Sequence, residues 1–371
     1  MESNKRDLFF FIGTEAELIK IFPVIIEARR NGLVTHIIAS GQNDIKCSSI
    51  LKLTDCGEID LELSDEADIR KSAAGLICWW LKTYFNGSKI IGSIFGKDRL
   101  KNDIMIVHGD TVSTYMGARI GKRFGMTVCH VEAGLRSHHL FNPFPEEIDR
   151  LLTSRIARIH FAPGQDAVNN LVHAKGKVFN TEQNTLLDSL RISEGFPIGA
   201  EVKEIIEGSR PYFVFVMHRQ ENLAKKDFVC DVIKQIEKKT RKQKGIIVGH
   251  KITIKAFKEY GVFDRLIGNP SIMIISRMEY FDFMKLLNNA EFVITDGGSN
   301  QEELYYMGKP TLILRKKTER NEGIGINAQI VQNIEDIASF PSPHNRTNVK
   351  KIDNIRPSEH LVKCLMEFNM K

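Results

Sequence analysis

Short apolar runs alternate with longer amphipathic runs along this chain, and that alternation constrains the fold more than any other feature. The first apolar run, "DLFFFIG" (7–13), is followed by the amphipathic run "EAELIKIFPVIIEARRNG" (15–32). Further apolar runs in this half are "VTHIIAS" (34–40), "DIMIVHG" (103–109), "TVCHVEAG" (127–134) and "IHFAP" (159–163). Strands of four to eight residues separated by helices are typical of a parallel sheet with crossover helices.

The same pattern restarts in the second half of the chain. Its apolar runs are "YFVFVMH" (212–218), "GIIVGH" (245–250), "SIMIIS" (271–276), "FVITDGG" (292–298) and "TLILR" (311–315). A length of 371 residues suits two domains of roughly 150–200 residues each. We therefore predict an α/β fold with two Rossmann-like domains, spanning 1–182 and 183–356, and a helix over 357–371 that packs back on the first.

Composition and charge exclude several classes of protein. Apolar residues make up 42% and charged residues 26% of the chain, which is an ordinary globular composition. The net charge of +6 raises the question of nucleic acid, and the basic stretch "KKTRKQK" (238–244) is the candidate. That stretch closes an amphipathic run, where cations offset the helix dipole, so a solvated helix end is favoured and no nucleic-acid partner is expected.

Cysteine usage and hydropathy bear on the compartment. The six cysteines contain no CxxC pair, so neither a disulfide framework nor a zinc site is indicated. The apolar "LFFFIG" near the N-terminus is too short for a signal sequence or a membrane span, and no other segment approaches that length. We expect a cytoplasmic protein without a membrane partner.

Polar residues gather where the predicted strands end. They are His108 and Asp110 after one strand, Glu132 after another, His218 and Arg219 in the second half, and Asp296 to Gly298 after a later strand. In open parallel sheets, ligands bind beyond the carboxyl ends of the strands. Any one of these residues alone is more often a helix cap or a loop group, but four such strand ends together predict a ligand site.

The turn "DGGSNQEE" (296–303) has the chemistry of a phosphate site. Small residues between a strand and a helix let backbone N–H groups approach a phosphate, and the helix dipole adds attraction. Glu303, one turn further on, is placed to accept hydrogen bonds from ribose hydroxyls. The alternative is a helix capped by Asp296 or Ser299.

The stretch "VEAGLRSHHLFNPFPEEIDR" (131–150) sets many charges around a proline-rich turn. Pro145 suits the start of a helix, and Glu147 and Asp149 in its first turn favour the helix dipole. That interpretation does not explain why the stretch follows an apolar strand and an Ala-Gly turn.

Six motifs together carry a family resemblance. They are "HGDT" (108–111), "HVEAGLRS" (130–137), "PFPEEIDR" (143–150), "MHRQEN" (217–222), "TDGGSNQEE" (295–303) and "TERNEG" (318–323). From about residue 13 to 325 the chain resembles the bacterial non-hydrolysing UDP-N-acetylglucosamine 2-epimerases. The resemblance implies a glycosyltransferase-B-like pair of Rossmann-like domains facing a cleft, and a homodimer. It also implies interconversion of UDP-N-acetylglucosamine and UDP-N-acetylmannosamine, without metal or nicotinamide cofactor, for surface or capsular polysaccharide synthesis.

The resemblance also assigns roles to residues. Asp110, Glu132 and Glu146 match the three catalytic acids of the family, and His218 matches its catalytic histidine. The remaining candidates are substrate-binding residues: Lys20, Arg136, Arg150, Arg219, Phe283, Gly298, Ser299, Glu303 and Arg320. An exposed turn residue is the alternative for Arg219, and a core aromatic is the alternative for Phe283, which the resemblance sets near uracil.

The chemistry explains why acids are needed. The hydrogen on C2 of the sugar is too weakly acidic for direct removal by a carboxylate, so UDP leaves C1 first and the C2 proton is then taken, giving 2-acetamidoglucal. Return of a proton on the opposite face, with re-addition of UDP, gives the epimer. Two faces require two proton-handling groups, and a further charge stabilises the cation-like sugar.

Two departures from the family pattern matter. Glu15 and Ala16 replace an arginine and a proline, so Lys20, Arg136 or Arg219 must supply the charge toward phosphate, unless the nucleotide sits differently. In "SGQND" (40–44), Gln42 is kept, but Asn43 and Ile45 replace residues that bind a second substrate molecule as activator in the family. We expect activation by substrate to be lost.

Three alternatives stay open at this point. A hydrolysing 2-epimerase would trap the same glycal with water and release N-acetylmannosamine and UDP. A glycosyltransferase of the same architecture would need an acceptor groove rather than three acids around C2. A non-catalytic nucleotide-sugar sensor would bind without turnover, which the retained acids argue against.

Overall fold

The structure is a computed structural model that describes residues 6–65, 73–138, 145–209, 211–315, 322–341 and 354–369. The chain divides into two compact units. The first contains Met1–Ser189 and Asn354–Lys371, and the second contains Leu190–Asp353.

The first unit is built on a seven-stranded parallel sheet. Its strands are β1 Leu8–Ile12, β2 Thr35–Ala39, β3 Leu61–Glu62, β4 Ile104–His108, β5 Thr127–Val131, β6 Ile159–Ala162 and β7 Lys177–Asn180. Their order is β3-β2-β1-β4-β5-β6-β7. The central strands β1 and β4 are buried along their whole length, as expected for a sheet covered on both faces.

Helices connect the strands of this unit. They are α1 Glu15–Arg30, α2 Ser49–Leu53, α3 Ala73–Phe95, α4 Lys97–Leu100, α5 Val112–Arg123, α6 Glu146–Ile156 and α7 Gln165–Asn169, followed by α8 Leu186–Gly195 at the division between the units. The helix α1 starts with a capping box in which Thr14 and Glu17 satisfy each other's backbone amides. This capping box fixes the turn from β1 into α1.

The second unit has a six-stranded parallel sheet. Its strands are β8 Tyr212–Val216, β9 Lys244–Gly249, β10 Ile272–Ser276, β11 Val293–Thr295, β12 Thr311–Ile313 and β13 Ala328–Ile330, in the order β10-β9-β8-β11-β12-β13. Its helices are α9 Ala200–Ser209, α10 Gln220–Leu223, α11 Lys226–Lys239, α12 Lys251–Glu259, α13 Phe263–Ile267, α14 Tyr280–Asn289, α15 Gly298–Tyr306 and α16 Asp336–Ser339. The basic stretch at 238–244 lies at the end of α11 and the start of β9.

The predicted α/β class with parallel sheets is confirmed. All the strands that the sequence pattern predicts occur, whereas β3, β7 and β13 were not predicted because they are short and only partly buried. The last helix, α17 Pro357–Asn369, packs against α1 of the first unit. Within the described ranges, no helix is both long and apolar enough to cross a membrane.

Candidate active site

The carboxylate of Glu132 is buried in the first unit and contacts three polar side chains. Glu132 directly follows β5 and has a φ of 61°, a left-handed conformation that is uncommon for a residue with a side chain. Its Oε1 accepts hydrogen bonds from Lys20 Nζ at 2.6 Å and from Asn184 Nδ2. Its Oε2 lies 3.8 Å from His108 Nδ1. The whole group is buried, with Glu132 only 9% exposed.

Asp110 lies in the neighbouring turn, between β4 and α5. Its carboxylate pairs with the guanidinium of Arg150 on α6. Gly109 suits this turn because its φ is 72°, a left-handed conformation that favours glycine. The two acids that the resemblance selects at these strand ends are therefore on adjacent turns of one sheet edge.

Two buried groups fix the turn that carries Asp110. His130 Nε2 donates to the Gly109 carbonyl at 2.8 Å, and burial lowers the pKa of His130 to about 3, so its imidazole is neutral. Glu17 accepts hydrogen bonds from the amides of Gly13 and Thr14 and from the hydroxyls of Thr111 and Thr114. Burial raises the pKa of Glu17 to about 7, even though each of these hydrogen bonds acts to lower it.

The start of α6 differs from the solvated helix end that the helix-dipole interpretation implies. Glu147 is 2% exposed and accepts hydrogen bonds from the Ser137 amide at 2.9 Å and from Arg150 at 3.2 Å. The Arg136 guanidinium lies 4.0 Å from the same carboxylate. Glu147 is thus an anchor for two arginines, and through Arg150 it is connected to Asp110.

The other two acids of α6 are Glu146 and Asp149, and the charges of Asp110 and Glu146 both act on Asp149. Glu146 is half-buried, and its Oε2 is a buried atom without a hydrogen-bond partner among the described residues. Asp149 is 6% exposed, and its Oδ2 is equally without a partner in the described part of the chain. Burial, with the charges of Asp110 and Glu146 as smaller causes, raises the pKa of Asp149 to about 7.

In the second unit, a fully buried carboxylate organises the end of β8. Asp296 accepts hydrogen bonds from the backbone amides of His218 and Arg219, both at 3.0 Å, and from Asn222 Nδ2 at 3.1 Å. The His218 imidazole stays 40% exposed, with Nδ1 3.7 Å from Asp296. The Arg219 guanidinium pairs with exposed Glu221. Asp296 therefore fixes the backbone that presents the histidine and the arginine.

The turn after β11 opens onto the N-terminus of α15. Its N-cap residue is Gly297, where a side chain would lie 2.5 Å from Asn300 Oδ1 and 3.0 Å from His218 Cε1. Since glycine cannot cap with a side chain, the first amides of α15 are oriented for an anion. Ser299 is exposed, Gly298 is half-buried, and Glu303 is buried, with Asn300 Nδ2 donating to its carboxylate at 3.2 Å.

Phe283, Arg320 and Glu15 complete the residues that the sequence singles out. Phe283 is half-buried on α14 of the second unit. Arg320 lies outside the described residues, as do residues 143 and 144 of the proline-rich turn. Glu15 accepts a hydrogen bond from Ser48, which begins α2.

Comparison with known proteins identifies the family. Residues 28–339 match the UDP-N-acetylglucosamine 2-epimerase family. A UDP-N-acetylglucosamine 2-epimerase from Methanocaldococcus jannaschii is 31% identical over 341 residues, which are 87% of each chain. The chain belongs to the UDP-N-acetylglucosamine 2-epimerase family. The resemblance drawn from the six motifs is thereby confirmed.

Solved structures agree with the epimerase family fold. The crystal structure of the Methanocaldococcus jannaschii epimerase, in complex with UDP-GlcNAc and UDP, has a TM-score of 0.78 and 28% identity, covering 97% of this chain and 99% of that one. A spinosyn forosaminyltransferase matches the fold at a TM-score of 0.63 and 11% identity, covering 99% of this chain and 100% of that one. The predicted glycosyltransferase-B-like fold class is confirmed.

The epimerase motifs led to four candidate catalytic residues, Asp110, Glu132, Glu146 and His218. Two predicted substrate-binding residues bond to these acids in the structure, Lys20 to Glu132 and Arg150 to Asp110. Glu17, His130 and Asn184 contact the acidic turns through single hydrogen bonds between elements distant in sequence, and no local spacing signals such contacts. Asp149 was attributed to the helix dipole because sequence does not reveal that its side chain is buried.

Proposed function

We propose that this protein interconverts UDP-N-acetylglucosamine and UDP-N-acetylmannosamine by elimination and re-addition of UDP through 2-acetamidoglucal. Membership of the epimerase family supports the substrate and the reaction class. The observation that carries the proposal is the Glu132 carboxylate, buried in a strained turn against Lys20 and Asn184, with Asp110 on the adjacent turn. Strained backbone around a buried acid is characteristic of active sites.

The steps follow from the chemistry of the sugar. The C1–O bond breaks with its electron pair going to UDP, and the sugar becomes cation-like. A carboxylate removes the C2 proton, and the C–H electrons form the C1–C2 double bond of 2-acetamidoglucal. A second acid then protonates C2 from the opposite face as a UDP oxygen bonds to C1. We assign these proton transfers and the stabilisation of the cation to Asp110, Glu132 and Glu146.

We assign nucleotide binding to the second unit. The amides at the start of α15, with Gly298 and Ser299, would bind the diphosphate, and Glu303 would accept hydrogen bonds from ribose. Phe283 would lie near uracil, and Arg320 would contact the substrate. His218 would bond the diphosphate or assist as UDP leaves and returns, in the orientation that Asp296 imposes on its backbone.

In the family, an arginine at the position of Glu15 supplies positive charge toward phosphate. We propose that Arg219 supplies this charge here. The ammonium of Lys20 bonds to the buried Glu132, which would lose its cation if Lys20 turned to phosphate, and the Arg136 guanidinium lies 4.0 Å from the buried Glu147. Arg219 forms an ion pair with exposed Glu221, and a surface pair of this kind is worth little. Its backbone is fixed beside His218 by Asp296, so we assign the contact with the diphosphate to Arg219. Arg150 would orient the Asp110 carboxylate through their ion pair.

The biological setting is also a proposal. We propose that the protein acts in the cytoplasm, needs no cofactor, supplies surface or capsular polysaccharide synthesis and forms a homodimer.

The homodimer is supported by a strip on α3, where Ile77, Leu81 and Phe85 follow at four-residue spacing with 61%, 46% and 57% exposure. Light scattering on the native chain and on Phe85→Glu tests this, and an unchanged monomer mass in both would refute it.

The experiment that tests the activity is an NMR time course with UDP-N-acetylglucosamine. We expect UDP-N-acetylmannosamine to appear with UDP still attached and the two sugars to reach equilibrium. Accumulation of free N-acetylmannosamine and UDP instead would establish the hydrolysing reaction. No change in the spectrum would establish a binding protein.

A further inference from the structure

Asp149 has a buried carboxyl group, and the neighbouring acids Asp110 and Glu146 are candidate catalytic residues. The family motifs assign no role to Asp149. It lies on α6 one helical turn after Glu146, with its side chain inside the protein. Its Oδ2 has no hydrogen-bond partner among the described residues, although a buried carboxylate oxygen normally has one. Burying a carboxyl oxygen without a hydrogen-bond partner costs free energy, so Asp149 calls for a functional explanation.

The charges around Asp149 disfavour its ionised form. Asp110 on the β4–α5 turn and Glu146 on the same helix both act on it, and both are acids. Elsewhere on α6, Glu147 and Arg150 are bonded to each other, and Arg150 is paired with Asp110. The cation nearest in sequence is therefore engaged elsewhere.

Among the described elements, α5 and β5 pack most extensively against α6. On α5, Tyr115 stacks on Trp80, Arg119 and Arg123 lie over Tyr84, and Lys122 is exposed. On β5, the neutral His130 is bonded to the Gly109 carbonyl. Burial, supported by the two acids, accordingly raises the pKa of Asp149 to about 7.

We propose that Asp149 is a positioning residue of the epimerisation site that must be protonated during turnover. This inference rests on the proposed function. A neutral Asp149 adds no negative charge beside Asp110 and Glu146, so those two acids can exchange protons with the sugar. An ionised Asp149 places a third negative charge there, holds protons on its neighbours, and stops one of them from acting as a base.

The test compares pH profiles of kcat and kcat/KM for the native chain, Asp149→Asn and Asp149→Ser. In the native chain, activity should fall by roughly tenfold per pH unit above neutrality, as the protonated fraction of Asp149 falls. Asparagine keeps the size of the side chain without its titration, so its variant should be active at pH 6 and lose less than about threefold by pH 8.5. Serine is also neutral and should flatten the alkaline limb, with a lower plateau. The matched control is Asp227→Asn on α11, an exposed aspartate in a first helical turn.

Two outcomes would overturn the proposal. One is an alkaline limb that is unchanged in both Asp149 variants, and the other is a folded Asp149→Asn that is inactive at every pH. Infrared difference spectra between pH 6 and 8.5 give a second readout, since the native chain should lose the carbonyl bands of protonated Glu17 and Asp149, and Asp149→Asn should lose that of Glu17 alone. If the native chain does not turn over UDP-N-acetylglucosamine at all, the proposed function fails, and the infrared titration still decides whether Asp149 holds a proton.

Discussion

The strand ends of the two units bury carboxylates in opposite ways. In the first unit, Glu132 is bonded by the cation of Lys20, and Asp110 by that of Arg150. In the second unit, Asp296 is fully buried and accepts from two backbone amides and the side-chain amide of Asn222. The first arrangement surrounds its acids with titratable groups, while the second uses a carboxylate to orient backbone.

This difference matches two kinds of chemistry. Proton transfer requires acids whose charge can change, and in the first unit the proposed acids lie with two further buried carboxyl groups, Glu17 and Asp149, whose pKa values burial raises to about 7. Binding of a diphosphate requires fixed donors, which the amides at the start of α15 provide regardless of pH. We therefore expect changes in the first unit to affect turnover and changes in the second to affect nucleotide affinity.

The largest expected effect is that of Glu132→Gln. Glutamine keeps the shape and an oxygen for Lys20 or Asn184, but it cannot take a proton, so kcat should fall by about a hundredfold to ten-thousandfold. Affinity for UDP, measured by calorimetry, should change less than about threefold. Exposed Glu204→Gln is the control. The same outcome is expected for Asp110→Asn and Glu146→Gln. Near-native turnover of Glu132→Gln would break the comparison.

A smaller effect in the other unit is expected for Asp296→Asn. Asparagine can accept only one of the two backbone hydrogen bonds, and a hydrogen bond to a charged group is worth about 1.5–3 kcal/mol. Calorimetry should therefore show UDP binding weakened by roughly tenfold to a hundredfold, since 1.4 kcal/mol is a factor of ten. Exposed Asp264→Asn is the matched control in the same unit. Unchanged UDP affinity with a loss confined to kcat would contradict the division of labour.

The first unit should also lose stability as pH rises. Because folding raises the pKa values of Glu17 and Asp149, the folded chain binds more protons than the unfolded chain between about pH 4 and 7. Their contribution is complete below that range and is lost through it, by up to about 1.4 kcal/mol per pH unit for each group. Denaturant titrations at pH 5 and 7.5 should show this loss, and Asp149→Asn should reduce it. An identical slope in the variant would contradict the assignment.

The smallest expected effect concerns activation by substrate. The side chain of Ile45 is apolar and only 1% exposed, so it offers a ligand no hydrogen bond. The side chain of Gln42 is engaged within the protein, since its Oε1 accepts from Ser113 at 2.6 Å. Initial rates from UDP-N-acetylmannosamine should rise hyperbolically, without a lag. A lag that trace UDP-N-acetylglucosamine abolishes would show that other residues form an activator site.

The sequence predicts the sheets and the strand ends well, because buried parallel strands such as "LFFFI" and "YFVFV" are uniformly apolar. It does not predict β3, which has two half-buried residues and no such run. Nor does it predict which acids are buried. In the sequence, Glu147 and Asp149 look like exposed acids that favour the helix dipole. Only the packing of α6 against α5 and β5 shows that their side chains are buried.

The partners of the acids are the least predictable part of the site. Asn184 reaches Glu132 across 52 positions of sequence, and Glu17 reaches Thr111 across 94. Such contacts depend on strand order, which places β1, β4 and β5 side by side. Knowledge of the family motifs supplies the acids themselves but not the network that holds them.

The central claim is that the acids of the first unit move the C2 proton, and turnover in heavy water tests it most directly. NMR of the product should show deuterium at C2 of UDP-N-acetylmannosamine, and with time at C2 of the recovered UDP-N-acetylglucosamine. Glu132→Gln should incorporate deuterium at least about a hundredfold more slowly. Epimerisation that keeps the original hydrogen at C2, or full-rate exchange in Glu132→Gln, would contradict the account.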